Sequence, residues 1–362
     1  MKYIDDKYVM IEWFVFFLVI FLYIHILQQY KYSDETDVYE MDYIDNTNLQ
    51  DSCQLLQPIV FAAQGLLPSL PTLDDAIGEV GSEQLSLGIL DESSSKFATP
   101  FPYKLAMNLL NLPSSDADTQ LVPVTKKYYS EHNESLFLQA APEYKEKIQE
   151  LDTFLRPPFT IHSHHDICIG AKDACTPFRY HIRSRKFLVV QSGKITVKMT
   201  PWKKHAKYLH ENRDYEIGEY RSNMNVWNPK EHHRREFDKI EFLEFDIDVG
   251  HILSIPSYWG YSIQYQESNT CLIEYTYSTC FNQLAFLGET ARTWLQRQNT
   301  YQTWFNTVHN KEKKQVNIHE TDVPVQQIPT LESTEETLVE TEYLDPSTTH
   351  ISTLVTSENN LS

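Results

Sequence analysis

The chain has 362 residues and a formal net charge of −19 at pH 7. Its acidity belongs to the flanks: residues 33–100 hold thirteen acids and one Lys, residues 315–362 nine acids and no Lys or Arg, and residues 101–310 hold 24 of each sign. This distribution excludes the basic face that a nucleic-acid partner needs. Five cysteines without Cys-x-x-Cys spacing predict neither a zinc ribbon nor a disulfide framework, although a single pair such as Cys168–Cys175 or Cys271–Cys280 stays open.

A transmembrane helix is predicted over residues 9–27, after a short segment of residues 1–8. The run is nearly all apolar and, at ~1.5 Å per residue, spans a hydrocarbon core of about 30 Å. Glu12 and His25 lie near its ends, where side chains reach the interface. The sequence lacks the small-residue cleavage site of a signal peptide, and it offers no nearby segment against which a buried core helix would pack. We therefore expect a single-pass membrane protein.

The charges around this helix favour a cytosolic N-terminus only weakly. Lys2 and Lys7 precede the helix and Lys31 follows it. The main domain would then lie on the lumenal or exterior side, with which glycosylation sequons at Asn133 and Asn360 are compatible. A viral membrane and a host-cell membrane both stay open as the location.

Both acidic flanks are predicted to be largely disordered. Residues 28–98 carry scattered acids, Pro, Gly and Ser, which is typical of an acidic tether. The apolar island that begins at Ile59 is compatible with a transient helix over residues 59–67 or with docking on the folded domain. Residues 311–362 are rich in Thr and Glu without apolar periodicity, which predicts a disordered acidic tail.

A mainly β domain with flanking helices is predicted over residues 99–310. Its first helix begins at Pro142 and carries apolar residues at spacings of four, three and four as far as Leu155. Short segments of strand character follow, and Ser192–Gly193–Lys194 is predicted to be a tight hairpin; together they indicate an antiparallel sandwich or jelly roll. The predicted strands are residues 167–170, 178–182, 187–191, 195–199, 224–227, 240–247, 252–255, 261–266 and 271–277.

A C-terminal helix is predicted over about residues 282–308. Its apolar face would cover an open end of the β domain or form a homodimer with a second copy of the chain. This face consists of Leu284, Leu287, Ala291, Trp294 and Leu295.

Three stretches, in order, resemble the cupin-like (JmjC-type) iron(II)/2-oxoglutarate dioxygenases. Residues 169–181, IGAKDACTPFRYH, place a Gly, a turn and Thr-Pro before the position of the family's His-x-Asp. Residues 187–202 contain a Gly-Lys turn and a strand that ends in Pro. Residues 249–261, VGHILSIPSYWGY, resemble the metal-approach strand that ends in a metal-binding His. The resemblance implies a double-stranded β-helix, or jelly-roll, core over about residues 155–280.

The resemblance places the family's three iron ligands on Arg179, His181 and Tyr261. A guanidinium offers no lone pair and repels a cation. A tyrosine binds metal only as a phenolate, and its ordinary pKa is about 10. We therefore expect no bound metal, no cofactor and no catalytic residue.

An alternative is an active hydroxylase that uses iron(II) and 2-oxoglutarate with displaced ligands. His164 and Asp166 form a literal His-x-Asp, one strand too early for the alignment. His232, His233 or His251 would then supply the third ligand.

A hypothetical anion pocket replaces the metal in the main interpretation. If the strand after Thr-Pro continues, its basic residues alternate at period two and point to one face. These residues are Arg179, His181, Arg183 and Arg185. Arg179 would be the bidentate contact for a carboxylate, a phosphate or an acidic peptide. The alternative is that Arg179 pairs internally with an acid such as Glu244 or Glu274, with 183–186 as an exposed turn.

The predicted function is that of a membrane-anchored, catalytically degenerate cupin-like protein, which acts as a binding or scaffold module for a protein or a small anionic ligand. The alternatives are the hydroxylase and a structural membrane protein whose acidic flanks engage partners. No Gly-rich phosphate loop, Gly-x-Ser-x-Gly or zincin helix points to another enzyme class.

Overall fold

The computed structural model of the chain describes residues 2–33, 35–62, 84–89, 99–110, 127–134, 142–214 and 219–296. The predicted tail, residues 311–362, lies outside the described residues. So does the end of the predicted C-terminal helix.

The first helix, α1 (Lys2–Tyr30), begins earlier and ends later than the predicted membrane span. Its stretch Met10–Tyr30 is long and apolar enough to cross a membrane, and its window is not buried in the protein. Signal sequences share these properties. What the structure establishes is a single N-terminal apolar helix of spanning length within the described residues.

Short helices accompany the strands. They are α2 (Asn46–Cys53), α3 (Tyr103–Leu110), α4 (Pro142–Leu155), α5 (Trp202–Leu209), α6 (Glu231–Phe237), α7 (Cys280–Ala285) and α8 (residues 287–296). The predicted amphipathic helix is confirmed as α4, whose apolar stripe from Tyr144 to Leu155 is buried. The predicted C-terminal helix is interrupted by a turn at Phe286, which separates α7 from α8.

The strands form two mostly antiparallel sheets, as predicted. They are β1 (Tyr39–Met41), β2 (Ile59–Ala62), β3 (Gln84–Ile89), β4 (Thr99–Pro102), β5 (Tyr128–Ser130), β6 (Thr160–Gly170), β7 (Arg179–Tyr180), β8 (Arg185–Ser192), β9 (Ile195–Pro201), β10 (Glu211–Asp214), β11 (Glu219–Ser222), β12 (Leu243–Ile247), β13 (His251–Ile255), β14 (Trp259–Tyr265) and β15 (Thr270–Thr279). The large sheet has the order β1-β2-β13-β8-β15-β6-β5-β3-β4, and the small sheet has the order β10-β11-β7-β14-β9-β12.

The main core draws on both sheets. Val189 and Ile273 of the large sheet belong to the same buried apolar cluster as Val197 and Ile263 of the small sheet. Helix α4 adds its buried stripe to this cluster, and the Tyr275 hydroxyl donates to the carbonyl of Ile148 at 3.3 Å. Strands covered on both faces become continuous apolar runs, which explains why β8 and β15 show little alternation.

Disorder, the main prediction for residues 28–98, is wrong for their described part, whereas the alternative that the island at Ile59 docks on the domain agrees with the structure. Strand β2 pairs with β13 and extends the large sheet, and α2 buries Leu49 and Cys53. Asp45 caps α2, because its carboxylate accepts from the amide of Asn48 at 2.7 Å. Long-range pairing of the island at Ile59 therefore orders an acidic segment that looks disordered locally.

Two further local predictions are wrong. Ser192–Gly193–Lys194 is a turn between two sheets rather than a hairpin, because β8 lies in the large sheet and β9 in the small one. Gly193 has φ +75°, which suits this turn. Residues 224–227 form bends and not a strand, and their side chains join a second apolar cluster around Trp202.

Candidate functional site

Two of the three positions that the resemblance assigns to iron ligands meet inside the fold. Arg179 on β7 pairs directly with Tyr261 on β14 in the antiparallel register. The Arg179 guanidinium carbon lies 5.5 Å from the centre of the Tyr261 ring. Their exposed fractions are 4% and 1%, and His181, just after β7, is also buried. The site therefore lies in the interior, between strands of the small sheet and the facing strands of the large one.

Arg179 is neutralised inside the protein. Its Nη1 donates to Glu131 Oε2 at 2.7 Å and its Nη2 donates to Glu131 Oε1, so the contact is bidentate. Both side chains are about 95% buried, with 4% and 5% exposed. Glu131 directly follows β5, which adjoins β6 in the large sheet. Bidentate guanidinium–carboxylate pairs have strong and specific geometry. Internal pairing of Arg179 was one predicted alternative, and its bidentate partner is Glu131; the Arg179 charge also helps to lower the pKa of Glu274, one of the two acids named in that prediction.

A second buried ion pair lies beside the first. Lys186 Nζ on β8 lies 2.5 Å from Glu274 Oε1 on β15 and donates to the Tyr261 hydroxyl at 3.0 Å. Thr276 donates to the same Glu274 oxygen at 2.9 Å. Burial opposes both charges, yet their mutual attraction lowers the pKa of Glu274 and raises the pKa of Lys186. Both groups are therefore charged at neutral pH.

Asp166 on β6 sits directly opposite Glu274 in the sheet register. Its carboxylate accepts from the amides of His132 and Asn133 at 2.7 and 2.6 Å. Burial, reinforced by the nearby charge of Glu274, raises the pKa of Asp166 to about 6. The carboxylate therefore holds the segment after β5, which also carries Glu131, against the sheet.

The same contacts bury the predicted sequon at Asn133. Its Nδ2 donates to the carbonyl of Ile167 at 2.7 Å and to Ser130 Oγ at 2.9 Å. A glycan on this nitrogen is incompatible with the fold, so the sequon does not support an exterior orientation. The sequon at Asn360 lies outside the described residues.

The displaced iron ligands do not converge. His164 Nδ1 lies 3.6 Å from Glu134 Oε2, and burial lowers the pKa of His164. Asp166 is engaged by backbone amides. Within the described residues, neither side chain belongs to a group of three ligand atoms close enough to share a metal ion. His251, one of the predicted third ligands, lies on β13, which pairs with β2 and β8.

The four basic residues of the predicted anion pocket do not share one face. Strand β7 ends at Tyr180, so the period of two that the prediction required is lost. Arg183 is exposed and donates to Ser278 at 3.2 Å. Arg185 opens β8 and donates to Gln50 of α2 at 3.3 Å. The pocket as predicted is therefore wrong in its geometry, because the chain crosses from one sheet to the other between Arg179 and Arg185.

The residues at the family's ligand positions do not fit iron(II). Arg179 is a cation held by Glu131, and the Tyr261 hydroxyl already accepts from Lys186. His181 Nε2 lies 3.1 Å from the carbonyl oxygen of Ile255, which only accepts, so Nε2 carries the proton. Burial, with the nearby Lys186, lowers the pKa of His181 to about 3. One neutral imidazole is therefore the single candidate ligand among the three.

Sequence reasoning missed Glu131 and Lys186 as parts of this site. Glu274 has a sequence signal, since it is a lone acid within the apolar run of β15. Lys186 likewise precedes an apolar run in β8. Glu131 has no such signal, because its segment reaches Arg179 only through the pairing of β5 with β6. The Arg179–Glu131 pair connects the small sheet to the segment after β5 of the large sheet, and the hydrogen bond from Lys186 to Tyr261 connects the two sheets again.

An open groove of about 380 Å³ lies at another edge of the fold. It is lined by residues of β1, β2 and the β12–β13 turn, including Glu40, Asp42, Asp246, Asp248 and His251. Lys194 neutralises part of the negative charge of the groove, because its Nζ lies 2.9 Å from the Asp246 carboxylate and 3.5 Å from the Asp248 carboxylate. Its walls include β1 and β2, which the sequence assigned to the tether.

Comparison with protein-family models and with curated proteins finds no match to this chain.

Proposed function

We propose that this chain is a membrane-anchored jelly-roll protein that has lost iron-dependent catalysis and acts as a binding or scaffold module. The observation that carries the proposal is that paired charged side chains occupy the interior site where the resemblance places iron ligands. Arg179 faces Tyr261 in register, and buried carboxylates neutralise Arg179 and Lys186. Charges paired in this way hold elements together and leave no metal-binding set at those positions.

The strand order supports a jelly roll. Strands β6–β9 and β12–β15 can be numbered one to eight along the chain. The centre of the large sheet, β13-β8-β15-β6, then has the order 6-3-8-1, and β7-β14-β9-β12 has the order 2-7-4-5. Two four-stranded sheets joined in this order form the double Greek key of an eight-stranded jelly roll. This order also supports the resemblance to the cupin-like dioxygenases, since it puts Arg179 and Tyr261 on strands two and seven.

Membrane anchoring rests on α1 and its junction with the domain. The Gln29 side chain near the end of α1 donates to the carbonyl of Ala285 in α7 at 2.8 Å, and Lys203 donates to the carbonyl of Gln29. Polar contacts at its end suit a helix that leaves a bilayer beside a folded domain. Apolar side chains of α7 and α8 remain exposed, including Leu284, Leu287, Trp294 and Leu295. This surface supports the predicted homodimer as a further proposal, which cross-linking in vesicles tests.

Iron binding and 2-oxoglutarate turnover test the proposal directly. The full chain is reconstituted in lipid nanodiscs and titrated anaerobically with iron(II), and succinate is measured after oxygen is admitted. We expect no succinate, and we expect His181→Ala to leave the iron stoichiometry of the wild type unchanged. One bound iron per chain with succinate formation would overturn the proposal in favour of an iron(II)/2-oxoglutarate hydroxylase with atypical ligands.

A designed variant provides the matched positive control. Arg179→His, His181→Asp and Tyr261→His restore the family's ligand set, and Glu131→Gln removes the carboxylate that would lose its partner. If the jelly-roll scaffold is intact, we expect this variant to bind one more iron(II) ion per chain than the wild type. The same iron stoichiometry in both proteins, with the variant folded by circular dichroism, would contradict the assigned ligand positions.

A further inference from the structure

A second cluster of polar side chains lies at the junction of α5 and α6, apart from the interior site. His210 is the C-terminal cap of α5 and has a left-handed backbone with φ +48°. Its Nε2 lies 2.7 Å from Glu236 Oε2, and His233 Nδ1 lies 3.6 Å from the same oxygen. One ligand atom from each of these three residues lies within 4.8 Å of the other two.

The chemistry of this donor set points to a metal ion. We propose that His210, His233 and Glu236 bind a divalent transition metal, with zinc as the best match. Two imidazoles and one carboxylate are a ligand set that zinc uses with a water in its fourth position. The same set also suits other divalent transition metals, whereas magnesium and calcium prefer oxygen ligands alone.

The local fold presents these donors together. His233 and Glu236 are three residues apart on α6, so they lie on one face of that helix. His210 comes from a different element, and its neighbour Leu209 is fully buried. Phe237, next to Glu236, stacks on Phe242 with ring centres 5.2 Å apart. Both backbones that carry the donors are therefore held by apolar packing, while the donors themselves face outward.

The distances require only side-chain rotation. Ligand atoms at about 2.1 Å from a tetrahedral zinc lie about 3.4 Å from each other. The His210 and Glu236 side chains are 48% and 33% exposed, so both can turn by the small amount needed to contract the set. A surface ion pair needs only one of the two imidazoles and contributes little stability. The second imidazole beside the same carboxylate oxygen is what a metal site explains.

His232 supplies a matched control. Its ring centre lies 4.0 Å from that of His233, yet it does not belong to the converging set. Substitution of His232 should therefore leave metal affinity unchanged. Substitution of a true ligand should weaken it.

The test is zinc binding by the untagged full chain in nanodiscs, measured by calorimetry and by competition with a chromophoric chelator. We expect one zinc ion per chain. His210→Ala, His233→Ala and Glu236→Gln should each weaken binding at least about tenfold, since even the loss of a hydrogen-bond partner of a metal ligand typically has an effect of about this size. His232→Ala should bind like the wild type. Zinc should also raise the Tm of the wild type, because it binds only the folded state.

Cobalt(II) gives a spectroscopic readout that distinguishes coordination by a defined set of ligands from non-specific metal binding. We expect visible d–d absorption of a four- or five-coordinate cobalt ion, which His233→Ala abolishes. Equal zinc affinity in the wild type and in the His210→Ala/His233→Ala double variant would overturn the proposal. Loss of binding in His232→Ala with full binding in His210→Ala would overturn it as well.

Discussion

Arg179 and Tyr261 lie directly opposite each other on β7 and β14, at two of the three positions that the sequence resemblance assigns to iron ligands. The guanidinium carbon and the Lys186 ammonium nitrogen each lie 5.5 Å from the centre of the Tyr261 ring. Cations over an aromatic face are attracted to its negative quadrupole. Lys186 is held at the hydroxyl end of the phenol, to which it donates, while Arg179 lies near the ring, and the carboxylates of Glu131 and Glu274 neutralise the two cations.

Removal of Glu131 should destabilise the fold strongly. In Glu131→Gln the buried guanidinium of Arg179 loses its bidentate carboxylate. A buried charge left without its partner typically costs about 3–5 kcal/mol in the free energy of unfolding. Urea unfolding in detergent micelles, followed by tryptophan fluorescence, measures this change.

An exposed ion pair provides the control for that experiment. Glu241 Oε2 lies 2.9 Å from Lys204 Nζ, and the two side chains are 70% and 37% exposed. Glu241→Gln should leave the unfolding midpoint nearly unchanged, because exposed pairs are screened by water. Equal losses in the two variants would show that burial of Arg179 and Glu131 does not govern their contribution.

Two tyrosines on β14 should respond differently to loss of the hydroxyl. Tyr261→Phe removes an acceptor from the buried ammonium of Lys186, and hydrogen bonds to charged groups contribute about 1.5–3 kcal/mol. The Tyr265 hydroxyl is buried and has no hydrogen-bond partner among the described residues. Tyr265→Phe should therefore be neutral or stabilising. The same free energy of unfolding for both variants would contradict the assigned Lys186 contact.

Asp166 should make stability fall as pH rises. Burial and the charge of Glu274 raise its pKa from 3.8 to about 6, so the folded state holds the proton more tightly than the unfolded state. This contribution is fully present below pH 3.8 and is lost as pH rises through about 6. The free energy of unfolding of the wild type minus that of Asp166→Asn should fall over this interval. Urea unfolding at a series of pH values measures it, and a rise would contradict the prediction.

Gly170 should tolerate no side chain. A Cβ at this end of β6 would lie 2.1 Å from Cγ of the buried Tyr265 ring. Overpacking of this kind costs about 1–3 kcal/mol or more, so Gly170→Ala should lower the Tm clearly. Gly288→Ala is the control, since its Cβ meets nothing within 4 Å and alanine favours a helix by about 0.5–1 kcal/mol. A similar Tm change in both variants would argue against the packing of Tyr265 on Gly170.

Local patterns in the sequence predict the elements that are stabilised locally. The stripe from Tyr144 to Leu155 predicts α4 with its bounds, because the spacing of apolar residues and the first-turn proline act within one helix. The apolar content of residues 9–27 likewise predicts most of α1. Strands β13 and β14 follow from the run between Gly250 and Tyr261, where the Pro-Ser-Tyr corner separates them.

Pairings between distant segments explain what the sequence could not predict. Residues 59–62 become a strand because β13 offers them a partner almost 200 residues later, and no local pattern contains that partner. The turn at Gly193 shows the same limit, since strand spacing alone does not say which sheet the next strand joins. In the site, the resemblance predicts that Arg179 and Tyr261 are neighbours. It does not predict Glu131, because the pairing of β5 with β6 is what places Glu131 beside Arg179.

The ordered segment before β2 also sets how far the domain can travel. Only residues 31–38 connect α1 to β1, and eight extended residues reach at most about 28 Å. A disordered chain over all of residues 28–98 would have reached on the order of 240 Å. If α1 spans a bilayer, as proposed, the domain is confined to a thin layer at the membrane surface. Its encounters with other proteins then become a two-dimensional search among neighbours in, or close to, the same membrane.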